Sequence, residues 1–182
     1  VERFALHDAP LYLVGGSVRD ALLGRLGNDL DFTTPARPDV VYSILEEWAE
    51  TVWDTGIDFG TVSAAYKGQQ IEITTFRSDS YDGDSRNPEV VYGDTLEGDL
   101  VRRDFKVNAM AIELRPDGTR EFHDPMGGLD DLANRILDTP DAPEISFHDD
   151  PLRMLRAARF AAQLEFDVAQ RVRDAMTDMA GE

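Results

Sequence analysis

The residues best placed to do chemistry are Asp29 and Asp31, in DLDFTT (29–34), where polar and apolar residues alternate as in a strand. Successive strand side chains point to opposite faces, so the two carboxylates share one face, roughly 7 Å apart at their Cα atoms. Leu30 and Phe32 take the other face. Two acids so placed repel each other unless a cation joins them, and oxygen-only ligands suit Mg²⁺ carrying the phosphates of a nucleotide. Alone, the pair fits a solvated strand face equally well. The preceding residues shift the balance. An apolar run, 11–14, stops at Gly15 and Gly16, and from Ser17 onward Val18, Ala21, Leu22 and Leu26 recur at helical spacing. Strand, glycine turn and helix in that order bring backbone N–H groups and the positive end of a helix to a bound anion, with Arg19 able to reach back as a bidentate phosphate ligand.

The elements that must position these groups can be read along the chain. Pro35 and Pro38 mark a turn, and Val40, Val41, Ile44, Leu45 and Trp48 form a helical stripe. Residues 51–76 read as three strands of an antiparallel meander broken at Gly56, Gly60 and Gly68. On its last strand Glu72 faces away from Ile71 and Ile73; it joins Asp29 and Asp31 if the strands are neighbours, and is otherwise an exposed glutamate. Residues 78–99 hold seven acids and one arginine with three glycines, which predicts a mobile loop. Residues 122–137 read as a turn, a short helix and a returning strand, with His123 in a loop. A helix is expected from about Asp149, with Asp150 and Arg153 meeting on its surface and Arg156 and Arg159 following at the same interval as a slow spiral. One more amphipathic helix follows Phe166.

Composition narrows the class. The 182 residues suffice for one good core and the start of a second domain. No cysteine and no long apolar run point to a cytoplasmic protein with no membrane partner. With three scattered histidines, His7, His123 and His148, no zinc site is expected. A net charge of −18 is opposite to what phosphate-backbone binding favours, so an RNA substrate would be gripped mainly elsewhere.

The stretch from Leu11 to Thr34 resembles the signature of the class II tRNA nucleotidyltransferases and the related bacterial poly(A) polymerases, through Gly15, Gly16, Val18, Arg19, Asp20, Asp29 and Asp31. DLVRRDFKVNA (99–109) is similar to the family's second motif, with Lys106 where threonine is usual, and DDPLR (149–153) to its nucleotide-selecting motif, with Asp149 where glutamate is usual. The resemblance implies an α/β (α+β) fold: a polymerase-β-like nucleotidyltransferase head with a mixed sheet over residues 1–140, then the start of an all-α neck over 141–182. It implies transfer of CMP and AMP from CTP and ATP to the 3′ end of tRNA, with release of pyrophosphate by a two-metal mechanism using Mg²⁺. Asp29 and Asp31 would hold the metal, with Glu72 as a third catalytic acid. Gly15, Gly16 and Arg19 would hold the triphosphate, Arg103, Asp104 and Asn108 the sugar and phosphates, and Arg156 and Arg159 would add positive charge. Asp150 and Arg153 would read the base, the carboxylate accepting from the exocyclic amine that cytosine and adenine share. Residues 78–99 would act as a lid in nucleotide selection. The resemblance is to the N-terminal part of a longer protein, whose remainder would hold most of the tRNA. A poly(A) polymerase and a non-catalytic nucleotide-binding fragment are the alternatives.

Overall fold

The computed structural model describes residues 1–80 and 89–181. Its frame is a seven-stranded mixed sheet flanked by helices. After a short helix α1 (Glu2–Ala5), strand β1 (Leu11–Val14) leads through Gly15 into α2 (Gly16–Leu22), and β2 (Asp29–Thr34) returns antiparallel to β1. Helix α3 (Pro38–Glu46) starts on Pro38, whose fixed φ suits a first turn, and buries Val41, Ile44 and Leu45 as its stripe predicts. Burial of those three side chains contributes roughly 5–9 kcal/mol as an upper bound. Strands β3 (Thr51–Trp53), β4 (Thr61–Tyr66) and β5 (Gln69–Thr75) form the expected antiparallel meander.

The meander docks through β5, which pairs parallel with β2 and sets Asp31 opposite Glu72 and Asp29 opposite Gln70. Glu72 and Asp31 therefore share a face. Ile71 and Ile73 turn to the other face and join Phe4, Leu11, Val41, Ile44 and Leu45 in one core cluster.

At 78–80 and 89–99 the chain departs from the loop expectation. Strands β6 (Arg77–Ser80) and β7 (Glu89–Tyr92) pair antiparallel, and helix α4 (Leu96–Val101) follows. Thr95 caps α4 by accepting a hydrogen bond from the Gly98 N–H at 3.2 Å. Acid content masked a β-rich VVY run and a threonine cap, both local signals of order. The part of the lid expectation at residues 81–88 lies outside the described residues.

Strand β8 (Ala111–Leu114) adds to the other side of β1, and β9 (Arg120–His123) closes the sheet in the order β3-β4-β5-β2-β1-β8-β9. His123 thus ends a strand rather than sitting in a loop. Helix α5 (Gly128–Asn134) follows, then β10 (Ile136–Leu137). The expected single helix near Asp149 is two: α6 (Pro143–Asp149) and α7 (Leu152–Leu164), with Asp150 extended between them. A two-residue strand β11 (Asp167–Val168), parallel to β10, precedes α8 (Gln170–Met179). Val18 from α2, Phe105, Leu132 from α5, and Ala157 and Phe160 from α7 share a second core cluster, so α7 is packed directly onto the glycine-turn helix.

Candidate active site

The acidic face of β2 and β5 opens into a cleft of about 390 Å³ whose walls include Gly15, Gly16, Arg19, Asp31, Glu72, Thr74, Arg77, Arg102, Arg103, Asp104, Asn108, Arg156 and Phe160. A larger hollow, about 520 Å³, lies against the Ile71 and Ile73 face and is lined largely by apolar groups such as Phe4, Trp48 and Tyr66. The smaller cleft is the candidate site: Asp31, Glu72 and Asp104 there face five arginines across one volume, whereas Glu2 and Arg3 are the only acid and arginine on the wall of the larger hollow.

Asp31 is open to the cleft, yet the surrounding protein displaces enough water to raise its carboxyl above the ordinary range. The Glu72 charge raises it further, Arg103 pulls it down, Asp29 adds a smaller upward push and Arg19 a smaller downward one. Crowded acids held on two adjacent strands, with oxygen donors only, fit a divalent cation of the Mg²⁺ type. Asp29 is exposed one strand pleat beyond Asp31 on the same face and does not itself line the cleft.

Two local devices fix this geometry. Gly15 has φ +65° and ψ −136°, a combination reserved to glycine, and a Cβ there would stand 3.0 Å from Arg103 Nη1. Ser17 ties α2 to β2: its Oγ accepts from the Asp31 N–H at 2.9 Å and donates to the Asp29 carbonyl at 3.4 Å. Helix α2 ends at Leu22 and turns through Gly24 at φ +72°, so the expected stripe shortens and Leu22 and Leu26 are exposed.

The arginines are held by a polar network. Arg19, 5% exposed, donates from Nη1 to Asn108 Oδ1 at 2.7 Å and from Nε and Nη2 to Asp20 at 2.9 and 3.0 Å. Asn108 Nδ2 donates to Asp104 Oδ1 at 3.0 Å, and Asp104 Oδ2 accepts from Nε and Nη2 of Arg156 at 2.8 and 2.6 Å. A continuous chain thus runs from Arg19 on α2 to Arg156 on α7. The ring of Phe160 backs it, with the guanidinium carbons of Arg159, Arg156 and Arg19 at 5.0, 5.2 and 5.3 Å from its centroid. Arg103 pairs with Asp99 rather than with its neighbour Asp104.

The base-reading pair is arranged differently from the sequence expectation. Asp150 and Arg153 do not meet as side chains. The Asp150 carboxylate accepts from the Leu152 N–H at 3.0 Å, capping α7. Arg153, 9% exposed, turns inward, donating to Ser146 Oγ at 2.8 Å and to the Arg102 carbonyl at 2.7 Å. Pro151 is the cause: it separates α6 from α7, so Asp150 lies outside the helical spacing assumed for the pair. Neither residue lines the cleft, although Arg153 braces Arg102, which does. Arg159 lies exposed on Phe160 and outside the cleft wall.

Away from the cleft, Glu113, Glu121 and His123 bring ligand atoms within 4.8 Å of one another. The Arg115 guanidinium bridges both glutamates, so a cation is already supplied there by the chain. Sequence reasoning missed Ser17, Thr74, Arg77, Asp99, Arg102 and Phe160. Of these, Thr74 and Asp99 left a signal: Thr74 shares the strand face of Glu72 at i+2, and Asp99 stands three and four residues before Arg102 and Arg103.

The match to known proteins is extensive. A family model described as the poly A polymerase head domain matches residues 11–138. The CCA-adding enzyme of Lactobacillus helveticus is 44% identical over 168 residues, 92% of this chain and 40% of that protein. The crystal structure of the Bacillus stearothermophilus CCA-adding enzyme in complex with CTP superposes with a TM-score of 0.84 at 37% identity, over 100% of this chain and 42% of that one. A tRNA nucleotidyltransferase complexed with a primer tRNA and an incoming ATP analog gives 0.83 at 29% identity, over 99% and 49%. The chain spans about two fifths of the length of the curated relatives it matches. Its mixed sheet with flanking helices is the polymerase-β-like nucleotidyltransferase fold, and with the family model covering well over half of its residues, the chain belongs to the poly(A) polymerase head-domain family of nucleotidyltransferases.

Proposed function

We propose that this chain is the nucleotidyl-transferring part of a CCA-adding enzyme, moving CMP and AMP from CTP and ATP onto the 3′-hydroxyl of tRNA and releasing pyrophosphate. The observation that carries the reading is one cleft in which Asp31 and Glu72 face Arg19, Arg103 and Arg156. Its curated relatives are CCA-adding enzymes. Members of such a family work with divalent metal; the oxygen-only donors Asp29, Asp31 and Glu72 would hold Mg²⁺, which when bound activates the attacking hydroxyl and offsets charge on the leaving oxygen.

The chain's own groups do the positioning. The Gly15–Gly16 turn lets backbone approach the triphosphate, and Arg19 and Arg103 orient it. Arg103 lines the cleft with 18% of its side chain exposed while Nη2 is held by Asp99, so the exposed part of its guanidinium can meet phosphate oxygens. Asn108 and Asp104 hold Arg19 and Arg156 in place, and Arg159 adds charge from the rim. Base reading is assigned to Asp150 and Arg153, which must exchange their present partners to reach a base. Residues 1–140 form the catalytic head and 141–182 the start of the neck. With a charge of −18, the chain leaves most of the tRNA grip to the rest of a full-length enzyme. No described helix is long and apolar enough to cross a membrane.

The test is incubation of the chain, and of the longer protein, with tRNA lacking its 3′ end, Mg²⁺ and single labelled nucleotides. CMP then AMP should be incorporated and GMP and UMP refused. The double variant Asp29→Ala with Asp31→Ala should abolish incorporation; near-normal incorporation rejects the assignment. Long adenylate products without CTP would instead mark a poly(A) polymerase, the reading that the family model's name favours. CTP binding without pyrophosphate release would mark a non-catalytic nucleotide-binding module.

A further inference from the structure

Behind the cleft, one carboxylate serves three arginines. Asp99 on α4 has a side chain 0% exposed and is not part of the cleft wall. Its Oδ1 accepts from Arg102 Nε and Nη2 at 3.2 and 2.9 Å, its Oδ2 from Arg103 Nη2 at 3.0 Å, and its Oδ1 also receives the Arg77 backbone N–H at 3.4 Å. All three arginines line the cleft. A buried carboxylate is costly to hold without partners, and here two guanidiniums supply them. Burial pushes the Asp99 carboxyl up, but the charges and hydrogen bonds of Arg103 and Arg102 outweigh it and hold the group below the usual range.

Arg103 has little else to fix it. Among the described residues its Nε has no acceptor and its Nη1 lies close to the open side of Gly15, so the hydrogen bond from Nη2 to Asp99 Oδ2 is what fixes the guanidinium. The same carboxylate connects α4 to the first residue of β6, so it also fixes that hairpin's root beside the cleft.

We propose that Asp99 is a positioning residue: acting through Arg103, with Arg102 held on its other oxygen, it sets the guanidinium geometry that receives the triphosphate of the incoming nucleotide. This rests on the nucleotide-binding reading above. The competing effect has the opposite sign. If Asp99 acted only through its negative charge, removing that charge would raise the positive potential of the cleft and tighten triphosphate binding. A positioning role predicts weaker binding, because a misplaced clamp loses affinity steeply with distance.

The experiment is a titration of this chain with CTP and, separately, with inorganic tripolyphosphate, each with Mg²⁺, in wild type, Asp99→Asn, Arg103→Ala and the double variant. Asp99→Asn should raise Kd for both ligands about tenfold, and should have no further effect once Arg103 is alanine, which a general structural loss would not reproduce. Unchanged or tighter binding by folded Asp99→Asn, or a full additional loss in the Arg103→Ala background, overturns the proposal. Should Asp99→Asn not fold, side-chain nitrogen NMR of the wild type decides. Resolved, slowly rotating Arg103 Nη signals support the clamp and a single averaged signal refutes it. A wild type that binds neither ligand removes the nucleotide-binding reading itself, an outcome separate from failure of the Asp99 role.

Discussion

Replacing Asp104 by alanine breaks the network at its centre, and the loss can be worked from the contacts. The aspartate is 8% exposed and accepts four hydrogen bonds: two from Arg156 on Oδ2, and on Oδ1 one from the Phe105 N–H at 2.8 Å and one from Asn108 Nδ2. Breaking a fully buried ion pair costs about 3–5 kcal/mol. Arg156 is 43% exposed on its side chain, so water recovers much of that and about 1–2 kcal/mol remains. The orphaned Phe105 and Asn108 donors are buried and bring the total to about 3–4 kcal/mol. For a chain of this size that lowers Tm by about 6–16 °C. Asp104→Asn keeps the shape but turns an amide N–H₂ toward donors on one side, so its loss should fall between alanine and wild type. Urea unfolding followed by the fluorescence of Trp48 and Trp53 reads the stability. A CTP titration reads the function, since freeing Asn108 also frees Arg19. An alanine variant whose Tm stays within about 1 °C of wild type would show that the network is not what joins α2 to α7.

Other outcomes follow from the same geometry. The raised Asp31 carboxyl contributes stability that is fully present below the unfolded carboxylate pKa of about 3.9 and is lost as pH rises through its higher folded value. In chelator, Asp31→Asn should therefore be more stable than wild type at pH 8, by a margin that shrinks toward pH 4; thermal scans showing a pH-independent margin contradict this. Removing divalent metal with EDTA should destabilise wild type at pH 8 more than Asp31→Asn, as read by Tm with and without Mg²⁺. Gly15→Ala should lower CTP affinity by at least about tenfold, because its φ and the nearby Arg103 both oppose a Cβ; unchanged affinity by titration would place the triphosphate elsewhere. Ser17→Ala removes the bond that holds the Asp31 backbone and should reduce kcat more than nucleotide affinity, measured by single-nucleotide incorporation in the longer protein.

What the residues determine by themselves is local. A glycine pair between an apolar run and a helical stripe forces a strand, turn and helix, and alternation in 29–34 puts Asp29 and Asp31 on one face, because both periods are properties of a few consecutive residues. Which strand lies beside them is a different matter. Glu72 reaches Asp31 only because β5 inserts next to β2 in parallel, a non-local pairing that periodicity cannot specify. The arginine partners are the same kind of choice. Arg103 pairs with Asp99 at the local i,i+4 spacing, but its neighbour Asp104 pairs with Arg156, 52 residues on, and Arg153 turns from Asp150 to Ser146 and a backbone carbonyl. Charged side chains of that length can reach several acids, and only the packing of α4 and α7 around the cleft selects one.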